Sequence, residues 1–464
     1  MVDNDAVTAR PSSGREYRIL IENSEYWLRN NGDLAMLAVT VDRLQKHWPS
    51  AQIGVMTDSP LLLSAYCPGA RGITRYSQDP WARPGRLQRL AATAGPAFVG
   101  PGVVARLRGC AWFAPRARHG RDRLLDLVSN VSHRRSAQPQ TAAAATTEPT
   151  DVSAAVPDAA RAVREATLVV ALGGGYLTDS DRPQARRVLD LLGYAKRSGV
   201  PVAVIGQGLG PLRDPDLRSR AAAVLPGVDV IALRERRRGP ALLAELGVSP
   251  DKVMITGDDA IEMSYATRRN SVGADIGICL RVADYAPVAQ VAQKTVGTVV
   301  RAAAASFGVG LVPLMIAEHP GSPDRKTTMP LVRGAARVRA PLGRFASPQQ
   351  VAARVAECRI LVTGAYHLAV FALSQGIPVV GLTTTEYYDD KFLGLVDMFG
   401  GGLDLVHLSN DDLSDRLDTA ISAAWKTTDS TRADLRDRAV VQIDASKRAF
   451  DAVFDLVDRH DGAL

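Results

Sequence analysis

Short, nearly continuous apolar runs alternate along this chain with segments in which apolar residues recur at helical spacing. That alternation predicts parallel, doubly wound α/β structure. Tyr17-Arg18-Ile19-Leu20-Ile21 reads as a first strand, Leu34, Leu37, Val41 and Leu44 as one face of a helix, and Ile53-Gly54-Val55-Met56 as a second strand. The pattern then fails between roughly residues 77 and 163. It resumes with strands at Thr167 to Leu172, Val200 to Ile205, Val228 to Leu233 and Val253 to Ile255, separated by helices at Ala185 to Ser198 and up to Leu246. A second series begins near Asp275, with strands Ile276 to Leu280, Gly310 to Leu314, Ile360 to Val362 and Ile377 to Leu382, then a short strand at Leu405-Val406 and terminal helices. Two Rossmann-like domains are therefore expected, over 16–262 with an insertion at about 77–163, and over 270–464, with a hinge between about Asp259 and Asp275.

At 464 residues and 46% hydrophobic content the chain has material for two cores. It contains no run of about eighteen apolar residues, and its first residues lack a basic start followed by an apolar stretch. Neither a spanning helix nor a secretion signal is predicted, and a cytoplasmic location is expected. The four cysteines, Cys67, Cys110, Cys279 and Cys358, lack metal-type spacing and are expected to be buried thiols, with no metal site. The net charge of +7 is concentrated, since eleven arginines and two acidic residues, Asp122 and Asp126, lie between Arg83 and Arg135. With Trp112 and Phe113 in the same stretch, peripheral contact with anionic membrane lipid at the inner membrane face is expected. No nucleic-acid partner is expected. Ser136 to Pro157, rich in Ala, Thr, Pro and Gln, reads as a disordered linker.

Candidate chemistry clusters where predicted strands end, the rim at which open α/β sheets bind ligands. His367 stands at the turn after Ile360 to Val362 and heads a helix whose N–H groups and dipole suit an anion. Thr383 to Lys391, including Tyr388 and Lys391, follows the next strand on the same rim, and Arg281 ends the strand Ile276 to Leu280 with a guanidinium suited to carboxylate or phosphate. After the first strand come Asn30, Asn31, Gly32 and Asp33, with Asp33 placed to cap a helix. Gly173, Gly174 and Gly175 close a further strand, and Gly206-Gln207-Gly208-Leu209-Gly210-Pro211 closes another; such glycines let backbone approach a ligand closely. Their spacing is not that of a dinucleotide-binding loop.

In this order the motifs resemble the polysaccharide pyruvyl transferase family. Asn30 to Asp33 matches its Asn-x-Gly-Asp, Gly173 to Gly175 with Asp179 its triple-glycine loop, and Gly206 to Pro211 its Gly-Gln-Gly-x-Gly-Pro loop. His367, Gly376, Pro378, Tyr388 and Lys391 match its C-terminal signature, but Ala365 and Tyr366 stand where the family has Arg and Leu ahead of the histidine. The resemblance implies a GT-B-like arrangement of two Rossmann-like domains around a cleft. It implies transfer of a pyruvyl group from phosphoenolpyruvate, as co-substrate and without a cofactor, onto hydroxyls of a glycan or lipid-linked saccharide to form a ketal. His367 would then be the acid–base residue, with Asn31, Gly32, Asp33, Gly173, Gly174, Gly175, Gln207, Gly208, Arg281, Tyr388 and Lys391 binding substrate. Arg281 would take over from the arginine absent at position 365 in holding an anionic small-molecule donor. A nucleotide-sugar glycosyltransferase, with Tyr366 stacking on a sugar or base, is the alternative, and a binding subunit without activity is a third reading.

Overall fold

The computed structural model describes residues 16–23, 25–75, 77–106, 159–283, 286–319 and 322–462. The linker read at Ser136 to Pro157, the pair Trp112 and Phe113, and Cys110 lie outside the described residues.

The first sheet comprises β1 (Arg18–Glu22), β2 (Gln52–Met56), β3 (Arg71–Ile73), β4 (Leu168–Ala171), β5 (Gly174–Leu177), β6 (Val202–Leu209), β7 (Val230–Leu233) and β8 (Val253–Ile255). Its order is β3-β2-β1-β4-β6-β7-β8, with β5 pairing β6, and every pairing is parallel. The second sheet holds β9 (Asp275–Cys279) and β10 (Leu311–Pro313) and, after a two-stranded hairpin of β11 (Glu318–His319) and β12 (Ser322–Pro323), β13 (Cys358–Thr363), β14 (Val379–Thr383) and β15 (Leu403–His407). It is parallel throughout, in the order β10-β9-β13-β14-β15. β4, β6, β7, β9 and β14 are buried along their whole length, as strands covered by helices on both faces must be. Strand order reverses direction between β1 and β4 in one sheet and between β9 and β13 in the other, and a crevice opens at such reversals.

The two halves are stitched together. Asn31 N donates to Ile316 O at 2.8 Å, and Ser264 Oγ, on the linking helix Ala260–Ala266, donates to Phe371 O at 2.9 Å. The terminal segment is one 50-residue helix, Leu413–Gly462, roughly 75 Å long at 1.5 Å per residue. Its beginning buries Leu417 and Ile421 against the second sheet, and its end lies on the first half, where the Phe454 ring stacks on His47 at 3.8 Å and Ser446 Oγ accepts from Arg43 Nη1 at 2.7 Å. Cys67, Cys279 and Cys358 are buried free thiols. Among the described residues no helix is long and apolar enough to cross a membrane.

Candidate functional site

The helix Tyr366–Ser374 explains why a histidine can be held so firmly here. All nine of its residues are buried, so the helix is fixed on every side and His367, in its first turn, inherits that rigidity. On the opposite half, Asn30 caps the helix Asn31–His47 by accepting from Gly32 N at 3.0 Å, which sets the buried Gly32 in the first turn. Gly32 lies flat on the imidazole: a Cβ added there would sit 2.0 Å from His367 Nδ1. On its other side His367 Nε2 is 3.6 Å from Asp258 Oδ2, and both atoms are buried without a hydrogen-bond partner.

Cations converge on this histidine. Arg234, 4% exposed, directly follows β7 and lies 3.6 Å from Asp258 and 4.2 Å above the Tyr366 ring. Added Cβ atoms at Gly208 and Gly175 would fall 2.7 and 3.0 Å from its nitrogens, so these glycines make room for the guanidinium. Lys391 Nζ stands 4.0 Å above the Tyr387 ring and is also pressed against Gly175. Arg281 is 3.7 Å from Asp324, whose carboxylate accepts from the Ile316 and Ala317 amides at 3.0 and 2.7 Å.

Burial, reinforced by Arg234, Lys391 and Arg281, holds the His367 pKa well below its ordinary value, so the imidazole is neutral near pH 7. The same causes, burial first and then Arg234 and Arg281, push the Lys391 ammonium well down, opposed by Asp33. Burial raises the Asp258 carboxyl and Arg234 draws it back. A buried site with several cations around unpartnered polar atoms is arranged to receive an anion.

These groups open into one cleft of about 680 Å³ between the two strand-order reversals. Of the residues picked out in the sequence, Asp33, Gly175, Arg281, His367, Tyr388 and Lys391 line it. Gly208 lines a narrow side pocket with Arg234 and Lys391, and Gly32 acts by packing on His367. Asn31, Gly173, Gly174 and Gln207 are not among the lining residues. Asn31 borders a separate small cavity beside Glu318 and Arg325. Gly173 packs on β6, where an added Cβ would meet Gly206 O at 2.6 Å; Gly174 pairs with Gln207, and the Gln207 amide donates to Gly208 O at 2.7 Å. The helix amides also hold less than expected, because Ala365 N donates to Thr363 Oγ1 and Leu368 N to Ala365 O.

Two groups were not singled out from the sequence. Arg234 directly follows β7 and Asp258 stands three residues after the end of β8, the positional signal that marked Arg281. The far wall is a cluster in which the Tyr26 hydroxyl donates to the fully buried Glu22 at 2.7 Å, Arg187 lies 4.2 Å over the Tyr26 ring and Arg75 lies 5.2 Å from it. Among the described residues no three His, Cys, Asp or Glu side chains gather as metal ligands.

The fold has solved counterparts. A putative UDP-N-acetylglucosamine 2-epimerase from Listeria monocytogenes matches with a TM-score of 0.52 at 12% identity, covering 96% of this chain and 98% of that one. The S. aureus MnaA-UDP co-structure matches with a TM-score of 0.52 at 11% identity, covering 96% and 97%. At such identities the likeness shows the fold alone, two Rossmann-like domains in a GT-B-like arrangement. No curated protein matches the sequence. The sequence model for polysaccharide pyruvyl transferase matches residues 30–386, from the asparagine that caps the helix against His367 to the start of the helix that carries Lys391. The chain belongs to the polysaccharide pyruvyl transferase family and is a transferase.

Proposed function

We propose that this enzyme moves the pyruvyl group of phosphoenolpyruvate onto two hydroxyls of a glycan or lipid-linked saccharide, releasing phosphate and leaving a cyclic ketal. The observation that carries the reading is the convergence of Arg234, Arg281 and Lys391 on a neutral, buried His367 in one cleft. The donor carries a carboxylate and a phosphate close together, and three cations meet that charge. Arg234, beside the Arg281 expected for it, takes the part of the arginine absent at 365, where the fully buried Ala365 stands.

The chemistry requires a proton on the donor's methylene carbon, attack by a hydroxyl on its central carbon, loss of phosphate and attack by the second hydroxyl. Of the two hydroxyl protons, one ends on the new methyl group and one leaves with phosphate. His367 serves both directions of proton transfer. Burial, reinforced by the cations, keeps it neutral before the donor binds; the donor's negative charge offsets the cations and lets the ring hold the proton that the methylene carbon needs. Once neutral again, the ring accepts a proton from the attacking hydroxyl. Arg234, Arg281 and Lys391 stabilise the charge on the departing phosphate. The far wall around Tyr26 and Arg187 is where the acceptor lies, and the reaction takes place in the cytoplasm.

A nucleotide-sugar glycosyltransferase would use Tyr366 as a stacking surface. The Tyr366 face carries Arg234 at 4.2 Å and the Tyr387 face carries Lys391 at 4.0 Å, which disfavours stacking on a base. Incubation with acceptor glycans and either phosphoenolpyruvate or nucleotide sugars separates the readings. Phosphate release with a ketal methyl signal by NMR is expected; nucleotide release would establish the alternative.

A further inference from the structure

The described part of the insertion begins with two helices, Arg86–Ala94 and residues 96–106. In the first only Ala91 is buried, while Leu87 and Leu90 are 70% and 64% exposed; in the second, Phe98 is 80% exposed. Single exposed apolar side chains are ordinary, but Leu87 and Leu90 share one helix face, and Phe98 follows on the next helix as a third large exposed apolar side chain. The second helix is anchored, since an added Cβ at Gly100 would meet the Phe345 ring of the other half at 2.2 Å. The apolar side chains are thus presented on a held scaffold.

Charge selects the partner. Residues 80–106 contain no Asp or Glu, and Arg83, Arg86, Arg89 and Arg106 are exposed. A second copy of the chain would bring the same basic face against itself, so self-association is opposed. A nucleic acid would engage the arginines and leave Leu87 and Leu90 in water. A surface that is apolar just beneath an anionic layer satisfies both kinds of side chain.

We infer that this face docks on an anionic lipid bilayer, with Leu87, Leu90 and Phe98 entering the boundary below the head groups and the arginines pairing with lipid phosphates. The inference stands apart from the reaction proposed above, although an acceptor carried on a membrane lipid would be met at such a surface.

Flotation of the full chain with phosphatidylglycerol or phosphatidylcholine vesicles tests it. Binding to the anionic vesicles is expected, with little to the neutral ones, and with release at high salt as the charges are screened. The combined Leu87→Ser, Leu90→Ser, Phe98→Ser variant should lose most of this binding. Arg86→Gln with Arg89→Gln should weaken it about fivefold per charge removed. These side chains face water, so melting temperature and turnover on a water-soluble acceptor should not change. Absence of binding to phosphatidylglycerol, equal binding to both vesicles, or binding kept by both variants would overturn the inference. So would light scattering that shows a wild-type dimer dissociated by the triple serine variant.

Discussion

Gly32 and His367 come from opposite halves of the molecule and touch so closely that a single methyl group on Gly32 would lie 2.0 Å from the imidazole Nδ1. The glycine in the Asn-Gly-Asp turn thus serves less as a ligand-binding backbone than as the flat floor on which the histidine rests. Gly32→Ala should turn the ring or part the two halves, at a cost of about 1–3 kcal/mol of stability. A ring displaced by about 1 Å can lose about 10²-fold in rate, so turnover should fall far more than the melting temperature suggests. Thermal melts alongside steady-state kinetics check this; unchanged turnover would show that the contact does not position the histidine.

The chain's departure at Ala365 and Tyr366 gives a second prediction. Arg234 has an acidic neighbour only at 3.6 Å and rests on the Tyr366 ring at 4.2 Å. Tyr366→Phe keeps a ring and should leave donor affinity nearly intact. Tyr366→Leu removes about 1–2 kcal/mol of cation–ring attraction and should raise the donor's KM with a smaller change in kcat. Equal behaviour of the two variants would mean that the ring does not hold the guanidinium.

Donor binding should take up protons. Burial and the cations around them depress the pKa values of His367 and Lys391. An anionic donor raises both, so the bound form holds more protons than the free form, and affinity should fall as pH rises through the window between free and bound values. Calorimetry in two buffers of different ionisation enthalpy measures the uptake. It should shrink in His367→Gln and shrink further when Lys391→Met is added.

Much of the fold was legible because buried parallel strands read as unbroken apolar runs, and β1, β6, β7 and β13 stand close to where those runs place them. β5 was not, because Gly174 and Gly175 read as a turn, and only pairing with β6 makes that segment a strand. The insertion helices were missed because Leu87, Leu90 and Phe98 face no core and so leave no inward stripe to read. The terminal helix read as several pieces because its partner changes from the second sheet to the first half along its length. His367, Arg281 and Lys391 could be found from their positions after strands. Gly32 could also be found, and Arg234 and Asp258 carried the same positional signal; that these three gather at His367 was not legible, since packing of distant segments makes the contacts.

The terminal helix also bears on stability. Arg43, 9% exposed, hydrogen-bonds Ser446 at 2.7 Å and Glu262 at 2.5 Å and lies 4.0 Å from the fully buried Asp259, whose carboxyl burial raises to about 6. Arg43→Met would leave that carboxylate without its cation at a cost of about 3 kcal/mol near pH 7. The Asp259 carboxyl titrates at about 6 with Arg43 in place and higher without it, so the variant's extra loss sets in above about pH 6 and fades below it, where the carboxyl is protonated in both proteins. Denaturant titrations at pH 5 and 7 should therefore show a larger loss at pH 7; an equal loss at both would remove Asp259 from the account.

The central claim is that His367 moves protons for a reaction whose anionic donor sits among Arg234, Arg281 and Lys391. Its most direct test is acceptor-dependent phosphate release from phosphoenolpyruvate by wild type and His367→Ala, with melting temperatures measured on the same samples. The expected result is release in the wild type and a loss of about 10²- to 10⁴-fold in a variant that remains folded. Release undiminished in His367→Ala, or lost only in proportion to unfolded protein, would contradict it.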